Sequence, residues 1–442
     1  MLMMSLIPAH PYITLQRQVF TICKEDEIER LEALVNDDII TVSLKIKVGN
    51  RSCFSCVHED NIQNAIEVTP LHVAAAWGSW QCIQFLLNQG AQVNFHLSDS
   101  SFYDYQPLYL AVSNAYMYNM LHKDLRYVKS VRLLLEAGAV VEYPGITSAR
   151  GSLLNMVVGW NFDAEIVECL IKYGANIRKV DDLDRTALHY AAMFDRDAQH
   201  QHVLTLLKYD PDINKQDIHG NTALSYAAFR SSVNAVQALC ESGADPNIKS
   251  SKGNTSLHYA CRHGKMSIIT YLLDKVEDIN ATNHDGETPF DFAVKNLSVF
   301  AKCLDLAEPD SDRVRAVYRC FQNIVNHGAI MNKFCGATLQ AGLVRSQATY
   351  LSDVVALLVN SVPHIDLQSV VVQLPSDISY SAVAFYEQLL TMGKEPRKLL
   401  HLCRCSIRSY LRGRCRAVIQ HLYLPEHLKN YVLLDYPQYD LS

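Results

Sequence analysis

Short apolar runs at helical spacing recur along most of the chain and are separated by polar, glycine-containing breaks. Ile83 to Leu87 and Ile166 to Ile171 are two such runs, and each predicts a short helix with one buried face. The runs come in register with a four-residue phrase. Thr186-Ala187-Leu188-His189, Thr222-Ala223-Leu224-Ser225, Thr255-Ser256-Leu257-His258 and Thr288-Pro289-Phe290-Asp291 stand 36, 33 and 33 residues apart. An earlier copy is Thr69-Pro70-Leu71-His72. A Gly-Ala pair closes many of the units, at Gly90, Gly138, Gly174, Gly243 and Gly328. A period of this length predicts one helical hairpin per unit, repeated lengthwise.

The phrase has a physical reading. Threonine caps the first turn of a helix, and proline at its first position costs no hydrogen bond. The small pairs Ala74-Ala75, Ala191-Ala192 and Ala227-Ala228 allow neighbouring helices to approach closely. Glycine after the second helix supplies the left-handed conformation that ends it. His72, His189 and His258 recur at one motif position. Tyr190, Tyr226 and Tyr259 recur at the same period and are read as core packing between repeats. Thr-Pro-Leu-His-x-Ala-Ala opening helix A, and Leu-Leu-x-x-Gly-Ala closing helix B, resemble the ankyrin repeat. The resemblance implies that the position of His72, His189 and His258 is a structural hydrogen-bonding one and not a ligand one.

That resemblance covers residues 65–335, as about seven repeats of which two carry insertions. Residues 1–64 are expected to hold a capping helix pair over 17–40, followed by an insertion over 41–64. The insertion contains Cys53 and Cys56, a lone pair that makes poor evidence for zinc. With the capping pair counted as unit one and 65–98 as unit two, unit three, 105–146, carries an insertion around Tyr116 to Tyr127, and unit four, 149–182, has lost the Thr-Pro-Leu-His phrase. Unit five ends Tyr209-Asp210-Pro211, and unit seven Lys275-Val276-Glu277, instead of Gly-Ala. Unit eight is lengthened, with the acidic stretch Ala307 to Asp312 as its loop. Residues 336–393 lack the repeat and read as a helical connector.

A different pattern occupies residues 394–436. Leu399, Leu402, Cys403, Ile407, Tyr410 and Leu411 follow steps of three and four, and Arg404, Arg408 and Arg412 form a separate stripe. Leu422, Leu424, Pro425, Leu428, Tyr431 and Val432 follow, with Pro425 at a helix start. From the residues alone this is a C-terminal helical hairpin. The spacing Leu399-x3-Cys403-x3-Ile407 followed by the Leu-Pro element resembles a SOCS box. The resemblance implies that Leu399, Leu402, Cys403 and Ile407 dock on elongin C. It also implies that Leu422, Leu424, Pro425, Leu428 and Tyr431 face cullin-5. Lys398 stands where the family prefers a small residue, and Leu422-Tyr423-Leu424-Pro425 where it usually has Leu-Pro-Leu-Pro. The expected fold is therefore all-α: an ankyrin-repeat solenoid, a helical connector and a helical SOCS box.

Composition narrows the classes. A formal charge of -6 gives no global nucleic-acid signature. From Lys394 to Arg416 there are eight Lys or Arg against one Glu, but the apolar face of that segment is equally strong and favours a partner protein. No run of about twenty apolar residues predicts a membrane span, and Pro8, His10 and Pro11 break up the start as a signal peptide. Thirteen scattered cysteines predict reduced thiols in the cytoplasm or nucleus. No phosphate loop, metal motif or hydrolase signature occurs, so no catalytic residue, metal or cofactor is expected.

The two residues before each turn from helix A to helix B are expected to be exposed and to recognise a target. They are Ala76 and Trp77, Met193 and Phe194, Phe229 and Arg230, and Arg262 and His263. Taken together, the resemblances imply a non-catalytic substrate receptor of a ubiquitin ligase. Its partners would be elongin C, elongin B, cullin-5 with its RING protein, and a target protein. The alternative is an ankyrin scaffold unconnected to ubiquitination.

Overall fold

The computed structural model describes residues 11–37, 39–41, 43–44, 46–49, 65–95, 106–119, 125–142, 151–194, 201–230, 232–276, 278–295, 311–327 and 329. The sequence readings over 336–393 and 394–436, and those on Cys53 and Cys56, lie outside the described residues. The chain divides into an N-terminal unit, Met1–Pro211, and a C-terminal unit, Asp212–Ser442.

The N-terminal unit holds a helix pair, α1 (Pro11–Glu25) and α2 (Ile28–Asn36), which begins and ends earlier than the 17–40 expected. Two short strands follow, β1 (Ile46–Gly49) and β2 (Ala65–Val68), paired antiparallel with Ile46 opposite Val68 and Gly49 opposite Ala65. This hairpin is the one departure from an all-helical reading among the described residues. Its cause is local. Ile46 and Val68 are β-branched, fall opposite each other and are fully buried. The remaining helices are α3 (Pro70–Trp77), α4 (Trp80–Asn88), α5 (Pro107–Asn119), α6 (Leu125–Glu136), α7 (Leu153–Gly159), α8 (Ala164–Lys172), α9 (Ala187–Phe194) and α10 (Gln201–Leu207). The first helices of successive pairs stack as α1, α3 and α5, and as α7 and α9. The second helices stack as α2, α4, α6, α8 and α10.

The C-terminal unit repeats the scheme with α11 (Ala223–Arg230), α12 (Val233–Glu241), α13 (Ser256–His263), α14 (Met266–Leu273), α15 (Pro289–Lys295) and α16 (Ser311–Asn326). Here α11, α13 and α15 form one layer, and α12, α14 and α16 the other. Ser311 and Asp312, read as loop, open α16.

The core lies between the two layers and is built from small residues on one side and branched ones on the other. Ala74, Ala75, Ala227 and Ala228 are fully buried, as are Ile83, Leu86, Val236 and Leu239. Close packing of this kind leaves little room for a larger side chain. Helix B ends in the left-handed region, for example at Gly174 (φ 94°) and Gly243 (φ 98°). Unit five keeps that geometry without glycine, because Asp210 adopts φ 52°.

Candidate functional site

Helix A opens on a polar pair that is itself buried. The backbone N–H groups of Thr69, Thr186 and Thr255 donate to Nδ1 of His72, His189 and His258 at 3.4, 3.1 and 3.0 Å. Each threonine Oγ1 also lies 2.7–2.9 Å from the same nitrogen. A backbone N–H only donates, so Nδ1 must accept and the proton sits on Nε2. Burial pushes the His258 pKa down to about 4, consistent with a neutral ring. The slot tolerates other chemistry. Asp291 accepts from Thr288 N–H at 2.8 Å and from its hydroxyl at 2.9 Å. The Ser225 hydroxyl lies 3.3 Å from Thr222 Oγ1. These residues therefore hold helix ends in place.

Unit four has its own version of this phrase, which sequence reading missed. Ser152 caps α7 by accepting from Asn155 N–H at 3.1 Å, so Ser152-Leu153-Leu154-Asn155 occupies the place of Thr-x-Leu-His. The signal was present as two conservative replacements, Ser for Thr and Asn for His.

The tyrosine stripe does more than fill the core, which corrects the sequence expectation. Tyr190 and Tyr226 are half-buried, and their hydroxyls donate to Asp181 Oδ2 at 2.8 Å and Asp217 Oδ2 at 2.6 Å. Tyr259 instead donates to Asn221 Oδ1 at 2.8 Å. Asp181 also accepts from the Leu183 and Arg185 backbone N–H groups at 2.9 and 2.8 Å, and from Arg185 Nε at 2.8 Å. Burial pushes the Asp181 carboxyl up, but the bonds from Arg185, Tyr190 and Leu183 outweigh it and hold it below the usual carboxylate range. Burial, then the bond to Asp181, pushes the Tyr190 hydroxyl up to about 12. Tyr190 and Tyr226 therefore stiffen the hairpin turn that precedes their own helix, and Tyr259 ties its helix to the turn before α11.

The candidate recognition residues at the ends of helix A differ in exposure. Ala76 was expected to be exposed and is fully buried. The Tyr127 hydroxyl, from α6 of the following unit, donates to its carbonyl at 3.4 Å. Trp77 is half-buried, with the Lys24 ammonium 4.4 Å from its ring centroid. Met193 and Phe194 are half-buried, and Phe194 stacks on Tyr190 at 6.0 Å with ring planes 29° apart. Trp160 occupies the same register in unit four and was missed because the phrase that numbers it had changed.

The C-terminal unit presents a more open group. Phe229 is 38% exposed, and Arg230 and Arg262 are exposed. The half-buried His263 meets the Phe229 ring at 4.6 Å with planes 79° apart, and Tyr259 meets it at 6.2 Å and 82°. Burial lowers the His263 pKa, as do the neighbouring charges of Arg262 and Lys265. This group can bind a partner through one fixed aromatic face and several cations. It carries no nucleophile poised for chemistry. Among the described residues no three His, Cys, Asp or Glu side chains are placed to hold a metal ion. Burial pushes the thiols of Cys23 and Cys320 up to about 12, the wrong direction for reactivity. No helix among the described residues is long and apolar enough to cross a membrane.

Leu399, Leu402, Cys403, Ile407, Leu422, Leu424, Pro425, Leu428 and Tyr431 lie outside the described residues. Their segment is reached by comparison instead. The family described as SOCS box matches residues 395–433. Ankyrin repeats (3 copies) matches residues 33–144 and 154–250, and Ankyrin repeats (many copies) matches 243–293. The chain is 37% identical over 83 residues to human Ankyrin repeat and SOCS box protein 18, covering 19% of this chain and 18% of the relative. It is 36% identical over 62 residues to mouse Ankyrin repeat and SOCS box protein 10, covering 14% and 13%. It is 45% identical over 51 residues to human Ankyrin repeat and SOCS box protein 16, covering 12% and 11%. The chain thus matches under a fifth of the length of these curated relatives.

Proposed function

Because the chain belongs to the ankyrin-repeat and SOCS-box family, we propose that it is a non-catalytic substrate receptor of a ubiquitin ligase. The observation that carries this reading is the pairing of ankyrin repeats over 33–293 with a SOCS box over 395–433 in one chain. The repeats hold a target protein on their helix A side. The box joins the ligase: Leu399, Leu402, Cys403 and Ile407 enter elongin C, which is bound to elongin B. Leu422, Leu424, Pro425, Leu428 and Tyr431 face cullin-5, and the cullin's RING protein brings the charged conjugating enzyme. The chain contributes proximity, since holding a substrate lysine beside the thioester replaces a bimolecular encounter with an intramolecular one. Reduced thiols such as Cys23, Cys82 and Cys261 support a cytoplasmic or nuclear setting.

The test is coexpression with elongins B and C followed by size exclusion, for the native chain and Leu399→Asp. A stable complex that the variant loses supports the receptor. Absence of a complex with the native chain would make Lys398 and Tyr423 the residues that break the box, and the chain a scaffold without a ligase.

A further inference from the structure

Two stretches of the C-terminal unit contain no acidic residue. From Asn221 to Cys240, and again from Ser250 to Leu273, there is no Asp or Glu. Arg230, Lys252, Arg262 and Lys265 all fall within them. These stretches cover the helix pairs α11–α12 and α13–α14 almost entirely. Arg230, Arg262 and Lys265 are exposed around the ends of α11 and α13, beside the exposed ring of Phe229.

The ring is held rather than loose. His263 and Tyr259 meet it edge to face, and the Tyr259 hydroxyl is itself fixed on Asn221. A fixed aromatic face loses little freedom when a ligand covers it. Cations at the last turn of a helix are favoured by its dipole, which accounts for Arg230 and Arg262 as charges. That effect accounts neither for Lys265, which lies past the end of α13, nor for an exposed phenylalanine between the charges. Nε2 of His263 is buried and has no hydrogen-bond partner among the described residues.

We infer that this face, centred on Phe229, takes an acidic segment of a target polypeptide that also carries an aromatic side chain. The inference rests on the reading that the helix A side binds the target, and it names the class of target. Carboxylates lie against Arg262, Arg230 and Lys265, and the aromatic group covers Phe229. Charge complementarity sets the sign of the partner, and the held ring sets the second requirement. A nucleic acid would also satisfy the charge, and the oligo-dT arm of the test separates the two.

The probe is a fluorescent random copolymer of glutamate and tyrosine, bound to the full chain and followed by anisotropy. Polyglutamate, a lysine–tyrosine copolymer and oligo-dT serve as comparisons. The glutamate–tyrosine copolymer is expected to bind best, and more weakly as salt is raised. Arg262→Glu or Lys265→Glu weakens it by about tenfold, and Phe229→Ala removes its advantage over polyglutamate. Both charge reversals are at exposed positions, and an unchanged thermal melt shows that the fold is kept. Several results overturn the inference: no copolymer binding, equal binding by both charge reversals, polyglutamate as good a ligand as the copolymer, or tighter binding of the lysine copolymer or oligo-dT. Leu399→Asp must bind the copolymer as the native chain does. Loss of elongin with retained copolymer binding therefore concerns the box alone. Retained elongin with no copolymer binding overturns only this inference.

Discussion

Nε2 of His258 donates to the main-chain carbonyl of Glu287 at 3.2 Å, from the helix of one repeat to the hairpin of the next. Its Nδ1 caps its own helix, so one neutral imidazole serves two repeats. Asn155 makes the same outward link, with Nδ2 3.4 Å from the Arg185 carbonyl. The link therefore requires a donor at this position and does not require a histidine.

Histidine makes the link sensitive to acid. In the unfolded chain the group titrates near 6.5, and in the folded chain near 4, because burial disfavours the charge. The unfolded state binds the extra proton first, so stability is lost as pH falls from about 6.5 towards 4, by up to about 1.4 kcal/mol per pH unit. His258→Asn keeps an outward donor and does not titrate. At pH 7 it is expected to cost about 1 kcal/mol through the weakened cap. Between pH 7 and pH 5 it should lose less stability than the native chain, as read from urea midpoints. Equal losses in the two proteins would remove His258 from the acid response.

The Tyr190–Asp181 pair carries the opposite sign. Its carboxyl is held below the usual range, so its stabilisation is present above that range and is lost as pH falls through it. Tyr190→Phe and Tyr226→Phe each remove one hydrogen bond to a buried carboxylate and should cost about 1–2 kcal/mol. Asp181→Asn should cost more than Tyr190→Phe, because Arg185 then loses its ion pair as well. Chemical denaturation at pH 7 gives the order. A larger cost for the phenylalanine variant would mean that the hydroxyl, and not the carboxylate, organises the turn.

Glycines separate by what surrounds them. Gly253 (φ 77°) sits at a hairpin tip, where an added Cβ would lie 2.9 Å from the Asn283 Cα and the His284 nitrogen. Gly243 (φ 98°) has nothing within 4 Å of that position. Gly243→Ala should cost about 1–2 kcal/mol for the left-handed backbone alone. Gly253→Ala adds a backbone clash between stacked hairpins and should cost clearly more. Thermal melts of the two variants decide it, and similar costs would show that the hairpins can move apart freely.

Much of the fold was legible because each repeat writes its cap, its small pair and its terminator in fixed register. Thr69, Ala74 and Gly90 announce a helical hairpin before any contact is known. Legibility failed where another residue type met the same physical need. Ser152 and Asn155 hid a cap behind conservative changes, and Trp160 was overlooked with them. The hairpin of Ile46 and Val68 was invisible because four-residue strands separated by a long insertion carry little periodicity. The candidate site was legible only as a list of positions. Exposure separates Phe229 from Ala76, and it is set by tertiary neighbours such as Tyr127, which the repeat pattern does not encode.

Asp210 offers the last test of this logic. It occupies the terminator slot that glycine fills in most other repeats, with φ 52°, and it precedes Pro211. A side chain in the left-handed region is strained, and a following proline further restricts the backbone before it. Its carboxylate gives little in return, since Arg178 Nη2 reaches Oδ2 only at 3.5 Å in an exposed pair. The stronger contact, Arg178 Nη2 donating to the Asp210 carbonyl at 3.2 Å, uses the main chain and survives substitution. Asp210→Gly should therefore stabilise the N-terminal unit by about 0.5–1 kcal/mol, after the entropy that glycine adds to the unfolded chain. The reciprocal change Gly243→Asp should destabilise by a similar amount. A lowered melting temperature for Asp210→Gly would mean that the Asp210 carboxylate holds the turn, and that the slot is filled by contact rather than by backbone freedom.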